Sequence, residues 1–336
     1  MEPNVNVDGR AGIVVIGRNE GERLVACLQS LRGLPCPVVY VDSGSADASA
    51  ERARALCERV VELDPAQPFT AARARNEGFH ELLLLHPALD FVQFLDGDCT
   101  LMPGWLASAC AAIGSDPARA VVVGPLSERR PEASTYNRLC ALEWKSPAGD
   151  LTNFGALGGI MLVRAAAFAR LSGFNEQVIA GEDSEFGVRV GAAGLKVTKI
   201  DVPMATHDAD IQNFSQWWRR AVRAGHAIGQ RSHLNGGGAA RDCVRERRSV
   251  LLWGLALPLV ILALLVPTRG LSLLLLLGYG VLGYRVARYR VRQGDAAADA
   301  RLYARFNLIG KLAEGLGLLK FYFNLAAGRF NIIEYK

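Results

Sequence analysis

The sequence contains no GxxxxGK[ST] loop, and its GxGxxG match, GYGVLG at 278–283, falls inside an apolar run and not after a strand, so neither a P-loop nor a dinucleotide fingerprint is present. It has no C-x-x-C pair. Its 7 cysteines, Cys27, Cys36, Cys57, Cys99, Cys110, Cys140 and Cys243, are odd in number and scattered. That argues against a disulfide framework and a zinc site, and it fits a reducing compartment. The formal net charge of +5 makes no case for a nucleic-acid partner. The opening "MEPNVNVDGRAG" has neither a basic start nor an apolar stretch, so no signal peptide is expected. No internal repeat is evident.

What is present is unevenly spread. The 336 residues allow one large domain with an addition, or two small ones. Up to about Arg248 the chain reads as soluble. From Ser249 to Val266, "SVLLWGLALPLVILALLV" carries no charge. At about 1.5 Å per residue it nearly spans a bilayer core of about 30 Å. After "PTRG" a second run, "LSLLLLLGYGVLGY", covers Leu271 to Tyr284. Two buried core helices would read the same way, but the lengths and flanks fit a membrane hairpin better. Arg241, Arg245, Arg247 and Arg248 precede the first run. Arg285, Arg288, Arg290 and Arg292 follow the second, and the turn between holds only Arg269. The positive-inside rule puts both flanks, and the N-terminal domain with them, on the cytoplasmic side of an inner membrane. The tail mixes Leu, Phe and Tyr with spaced Lys and Arg, which reads as amphipathic helix at the membrane interface or as a helix packed on protein. "NGGGAARD" reads as a flexible joint. The expected division is therefore 1–235 for the soluble domain, 236–290 for linker and hairpin, and 291–336 for the tail.

Within the soluble part, short apolar runs alternate with helical patterns. "GIVVIG", "PVVYVD", "RVVELD", "FVQFLD" and "AVVVGP" read as strands. "EGERLVACLQSLRG", "ADASAERARALCE" and "FTAARARNEGFHELLLLH" read as helices. This rhythm predicts an α/β domain with a mostly parallel sheet, which binds ligands beyond the carboxyl ends of its strands. Arg18 and Glu20 follow the first strand, Asp42 and Ser43 the second, and Asp96 and Asp98 a later one.

The motifs are individually weak. Asp96-Gly97-Asp98 ends a buried strand with two carboxylates around a glycine, which suits a hard divalent cation or an ordinary polar turn. Asp42 could accept from a nucleobase N–H, whereas Ser45 and Asp47 are explained as helix caps. Arg73 and Arg75 lie two apart in "AARARNEG", so one could meet phosphate while the other is solvated. Glu182, Asp183 and Glu185 favour a helix start through the dipole, or they supply a general base in Asp183. Arg219 and Arg223 share a helix face and suit a diphosphate, or line a basic helix near lipid. His207 is a candidate third metal ligand, or an exposed loop residue.

In series, "VVIGRNEGERL", "VDSGSADAS", "AARARNEG", "FLDGDC", "GGIMLVRAAAF", "GEDSEFGVRV" and "QWWRRAVRAG" resemble a family-2 glycosyltransferase of GT-A fold, from about Gly12 to Gln230. The resemblance implies a GT-A (Rossmann-like) nucleotide-sugar-binding domain, followed here by a C-terminal hairpin and amphipathic helices. It implies a nucleotide-diphosphate sugar donor, Mn²⁺ or Mg²⁺, and inverting displacement at the anomeric carbon. It would place Asp42 at the base, with Arg18, Glu20, Ser43, Arg73, Arg75 and Asn76 in the donor site. Asp96 would sit at the ribose and metal edge, and Asp98 would bind metal. Gly158 and Gly159 would line the sugar, Asp183 of the Glu182–Asp183 pair would be the base, and Arg219, Arg220 and Arg223 would close over the diphosphate. Processive synthases carry Gln-x-x-Arg-Trp. Here Gln216–Arg220 reads Gln-Trp-Trp-Arg-Arg, and two spans offer little for a polymer channel. The expected partners are the donor, a lipid-linked or membrane-bound sugar acceptor such as a polyprenyl-diphosphate oligosaccharide, and membrane lipid. A sugar nucleotidyltransferase is the alternative enzyme, though "GRNEGERL" poorly matches its Gly-rich basic loop. A non-catalytic nucleotide-sugar-binding scaffold is the alternative outside enzymes.

Overall fold

The computed structural model describes residues 10–154 and 157–329, so expectations about the two chain ends lie outside the described residues. The chain forms two compact units. One comprises the residues up to Arg130 together with Trp144–Asp210. The other comprises Pro131–Glu143 together with the residues from Ile211 onward.

The first unit begins with β1 (Ala11–Gly17), α1 (Glu22–Ser30), β2 (Val38–Asp42), α2 (Ser49–Ala53), β3 (Arg59–Glu62), α3 (Ala71–Leu85) and β4 (Phe91–Asp96). It continues with β5 (Cys99–Leu101), α4 (Trp105–Gly114), β6 (Arg119–Val123) and β7 (Leu126–Glu128). After α5 (Thr135–Glu143), which belongs to the second unit, come β8 (Gly149–Asp150), β9 (Met161–Arg164), α6 (Ala165–Arg170), α7 (Glu182–Ala192), β10 (Lys196–Lys199) and β11 (Ala205–His207). The main sheet has the order β3-β2-β1-β4-β9-β6-β10-β8. Only β8 and β9 oppose the common direction.

β1, β2 and β4 are rich in Val, Ile and Phe and are buried along nearly their whole length. Helices on both faces demand this of a parallel strand. Gly17 pairs with Asp42, Ile16 with Asp96, and Asp42 with Glu62. The register therefore lines the carboxyl edge with the polar residues that end each strand. A second sheet, β5-β11-β7, sets His207 opposite Cys99 on one side and opposite Glu128 on the other. The helix expected over "ADASAERARALCE" is only the single turn and a half of α2, because turns replace helix beyond Ala53.

The second unit holds α5, α8 (Phe214–Asn235), α9 (Val244–Val250), a π-helical stretch Leu251–Ala256, α10 (Leu257–Leu264), a 3₁₀ stretch Leu271–Leu276, α11 (Leu277–Arg292) and α12 (Ala297–Ala326). The expected boundary at 235 is thus corrected: α5 and α8 pack with the C-terminal helices. The reason is close helix contact. A Cβ on Gly225 of α8 would lie 2.0 Å from the Glu314 carbonyl oxygen, and one on Gly317 of α12 would lie 1.9 Å from that of Val222. Small residues let the two backbones meet, as in membrane helix pairs. The tail, expected as an amphipathic helix at the interface or as a helix packed on protein, forms α12. α12 buries Ala313, Gly317, Leu318 and Phe321 within its own unit, while Leu312, Leu316, Leu319 and Phe323 stay exposed.

The joint read as flexible is pinned. Arg231 and Asp242, both buried, form a two-bonded ion pair at 2.7 and 3.1 Å. Val244–Leu264 and Leu271–Arg292 are long and apolar enough to cross a membrane. Their large side chains, including Leu259, Leu262, Leu274 and Leu277, point outward. Arg290 does not belong to the basic flank. It is buried against Asp295 at 2.5 Å, donates to the Leu142 carbonyl at 2.7 Å, and lies 4.5 Å from the Tyr303 ring centroid.

Candidate active site

The loops after β1 and β2 are laced together. Ser45 Oγ accepts from the Asn19 amide at 2.9 Å, and Asn19 Oδ1 accepts from the Ala46 amide at 2.7 Å. Asp42 organises this loop. It accepts from Tyr40 Oη at 2.9 Å, from the Ser45 amide at 2.7 Å and from Ser45 Oγ at 2.6 Å. A carboxylate has about four acceptor sites, so one remains for an incoming N–H. Burial and the neighbouring Asp42 charge push the Tyr40 phenol far up, which keeps it a neutral donor. The Ser43 amide donates to the Gly17 carbonyl. Arg18 lies 5.5 Å from the Phe69 ring centroid, and Glu20 pairs with Arg23 at 2.8 Å.

Arg73 and Arg75 diverge as their spacing requires, but neither is solvated. Arg73 is buried and donates to the Asp64 and Gln67 carbonyls at 3.0 and 3.1 Å. It closes the turn ahead of α3, so its expected place at a phosphate is corrected: its donors face backbone oxygens. Asn76 is also structural, tying α3 to Phe174 through both main-chain groups at 2.9 Å. Arg75 is the central cation. It donates to Asp96 Oδ1 at 2.6 Å and to Glu182 Oε1 at 2.6 Å. Burial raises the Asp96 carboxyl, as do Asp98 and Glu182, while Arg75 opposes the rise. Gly159 is glycine because the guanidinium lies against it: a Cβ there would be 2.3 Å from Arg75 Nη2, and its φ is +72°.

Asp183 sits in the first turn of α7, where the helix dipole favours a negative charge. Its Oδ2 accepts from the Gly158 and Gly159 amides at 2.7 and 3.2 Å. Its Oδ1 lies 3.4 Å from Ser184 Oγ.

Asp98 and His207 meet through the second sheet, Oδ2 to Nε2 at 3.7 Å. Glu128, buried at the end of β7, holds His207 Nδ1 at 2.9 Å and accepts the Ala209 amide at 2.7 Å. A carboxylate on one ring nitrogen fixes the orientation of the other, which is how metal-binding histidines are held. Asp98, Cys99 and His207 each bring a ligand atom within 4.8 Å of the others. This donor set fits a divalent cation held by carboxylate and imidazole. Asp96 points instead to Arg75. Trp144 lies edge-on to His207, ring centroids 5.5 Å apart, and touches the Gly158 position.

The motif pattern did not reveal Glu128, Trp144 or Cys99 as site residues. Cross-strand register brings in Glu128 and Cys99, and ring contact with His207 brings in Trp144. We expect Glu128→Gln to weaken Mn²⁺ binding by about 10–100-fold, read by electron paramagnetic resonance of the free ion. Unaltered affinity would remove Glu128 from the site.

Arg219, Arg220 and Arg223 lie on α8, in the second unit. Arg219 is exposed and Arg220 pairs with Glu143 at 2.8 Å. The site geometry above belongs wholly to the first unit.

A mostly parallel sheet with acids along its carboxyl edge and an Asp–His pair beside it defines a GT-A-like α/β domain. Residues 12–174 match the family described as "Glycosyl transferase family 2", and residues 142–212 match "N-terminal domain of galactosyltransferase". The likeness to family-2 glycosyltransferases thus covers residues 12–174, a little under half of the chain. It is 30% identical over 225 residues to a protein named pre-mycofactocin glycosyltransferase from two strains of Mycobacterium tuberculosis, covering 64% of this chain and 46% of that one. The chain thus spans about half the length of the curated relatives it matches. Its fold is similar to that of a mannosyltransferase, PcManGT, from Pyrobaculum calidifontis, solved with GDP-Man and Mn²⁺. The TM-score is 0.60 at 19% identity, over 93% of this chain and 90% of that one.

Proposed function

We propose that the protein is an inverting, metal-dependent glycosyltransferase that moves a sugar from a nucleotide-diphosphate donor to a hydroxyl of a lipid-linked or membrane-bound acceptor. The observation that carries this reading is the pairing of Asp98 with His207, oriented by Glu128, in the same unit as Asp183 held by two glycine amides. Support also comes from the names of the relatives, and from the GDP-Man and Mn²⁺ in the Pyrobaculum structure.

Asp98 and His207 would hold the cation. Mn²⁺ or Mg²⁺ bound there supplies charge stabilisation for the departing diphosphate. Asp183 accepts the proton of the acceptor hydroxyl as its oxygen bonds to the anomeric carbon. The bond from that carbon to the diphosphate oxygen breaks, and its electron pair leaves with the nucleotide. Two amides on Oδ2 fix the rotamer of Asp183, and Oδ1 is the oxygen assigned to receive the proton. Glu182, first expected as a catalytic partner, is assigned to positioning, since Arg75 occupies it. Arg75 also restrains Asp96 at the ribose edge. Trp144, Gly158 and Gly159 form the wall of the sugar site, and Asp42 with Arg18 forms that of the nucleotide.

The two apolar helices, and the exposed leucines of α12, suit an enzyme held in an inner membrane. Exposed Arg241, Arg245, Arg248, Arg285, Arg288 and Arg292 flank the hairpin and favour a cytoplasmic catalytic domain.

The test is nucleoside-diphosphate release by the full chain in detergent, across a panel of nucleotide sugars, with Mn²⁺, with Mg²⁺ and with chelator, beside Asp98→Asn. Metal-dependent release from one donor, lost in the variant, is the expected result. No metal-dependent donor binding by the wild type would overturn the reading.

A further inference from the structure

Cys99 has no part in the reaction derived above, yet its sulfur stands in the metal cluster. We infer that Cys99 makes this a mixed oxygen, nitrogen and sulfur site, which captures thiophilic divalent cations such as Zn²⁺, Co²⁺ and Cd²⁺ by direct sulfur ligation. The inference rests on the reading of Asp98 and His207 as metal ligands.

The geometry is that of a small closed site. Cys99 Sγ lies 3.4 Å from Asp98 Oδ1, His207 Nε2 lies 3.7 Å from Asp98 Oδ2, and all three residues bring donors within 4.8 Å. A tetrahedral centre with bonds of about 2.0–2.3 Å sets its donors roughly 3.3–3.7 Å apart. Cys99 and His207 each lie at such a separation from Asp98, but from different carboxylate oxygens. With one ligand atom from each residue all three stay within 4.8 Å, a set that closes with a small side-chain shift. The placement is fixed by backbone, since Cys99 and His207 are direct partners across β5 and β11. Glu128 occupies Nδ1, so the imidazole presents Nε2 toward the same space.

Ligand softness separates the cations. Mn²⁺ and Mg²⁺ take oxygen and gain little from sulfur, so with them Cys99 stays a thiol donating to Asp98. Zn²⁺ or Cd²⁺ replaces that proton. The S–H bond breaks, a metal–sulfur bond forms, the proton goes to solvent, and no electron is transferred. The captured cation has spent three ligand positions on protein and has drawn Asp98 toward sulfur. Zinc therefore competes with Mn²⁺ and arrests the enzyme.

The experiment uses the full chain in detergent. Cobalt titration of the wild type is expected to give near-ultraviolet sulfur-to-cobalt charge-transfer absorption, present in Cys27→Ser and absent in Cys99→Ser. Zinc affinity, measured by competition with a chromophoric chelator, is expected to fall at least about tenfold in Cys99→Ser. Mn²⁺ affinity moves far less. Cobalt binding to the wild type without the sulfur band overturns the inference while leaving the metal site standing. A band that survives Cys99→Ser, or an unaltered zinc affinity, also overturns it. Failure of the wild type to bind either Mn²⁺ or Co²⁺ removes the site and the inference together. If Cys99→Ser does not fold, the wild-type band and its loss in Asp98→Asn decide.

Discussion

Replacing Asp183 with asparagine is expected to lower transferase turnover by about 10²–10⁴-fold while donor binding persists. The local structure makes this a clean substitution. Asp183 Oδ2 accepts the Gly158 and Gly159 amides, and the amide oxygen of asparagine accepts the same two bonds. The turn at Gly158 and Gly159 therefore stays in place. What is lost is the ability of the second oxygen to take a proton. Single-turnover transfer to a membrane acceptor, set beside donor affinity from calorimetry, reads the two effects separately. Turnover equal to wild type would assign the base elsewhere. Lost donor binding would instead make Asp183 a binding residue.

The largest effect on stability is expected from Arg75→Met. Arg75 has 3% side-chain exposure and holds Asp96 and Glu182 at 2.6 Å each. Methionine keeps much of the volume but leaves both carboxylates without their cation. Breaking a buried ion pair from one side costs about 3–5 kcal/mol, because the surviving charge stays desolvated. The Glu182 side chain is only 9% exposed and bears most of that penalty; Asp96, at 31%, is relieved in part by water. A large fall in the thermal unfolding midpoint is expected, with partial recovery in Arg75→Met/Glu182→Gln. An unchanged midpoint would mean that the site rearranges around the loss.

Much of the first unit is legible in the chain because its signals are local. β1, β2 and β4 are short β-branched or aromatic runs; β2 and β4 end in aspartate and Arg18 directly follows β1, and that alone places Arg18, Asp42 and Asp96 at one edge. The Asp98–His207 pair is harder to see, since its partners are distant along the chain and β11 has three residues. Glu128 is harder still. It lies in a charged run, "SERR", that looks like a solvated loop, and only its pairing with His207, 79 positions away, buries it. Arg73 misleads because a guanidinium seeking phosphate and one capping backbone carbonyls look alike in sequence. α12 misleads for a different reason. Its apolar residues surround the helix, since one side meets other helices and the other stays exposed. The glycines that permit that contact carry no periodic signal of their own.

The path of the chain bears on how such a protein can be inherited or shortened. The chain changes compact unit three times, after Arg130, after Glu143 and after Asp210. The helical unit is therefore not a cassette added at one end. α5, coded in the middle of the transferase sequence, has buried Leu139, Cys140 and Leu142, and the Leu142 carbonyl takes a bond from Arg290. A gene truncated before the apolar helices would still encode α5 and its contact with Trp217, but without α12 beside it and with that carbonyl lacking its donor. Insertions and deletions in this lineage should accordingly respect both ends of 131–143 together with the C-terminal helices. A soluble version will require redesign of α5 and not merely a stop codon.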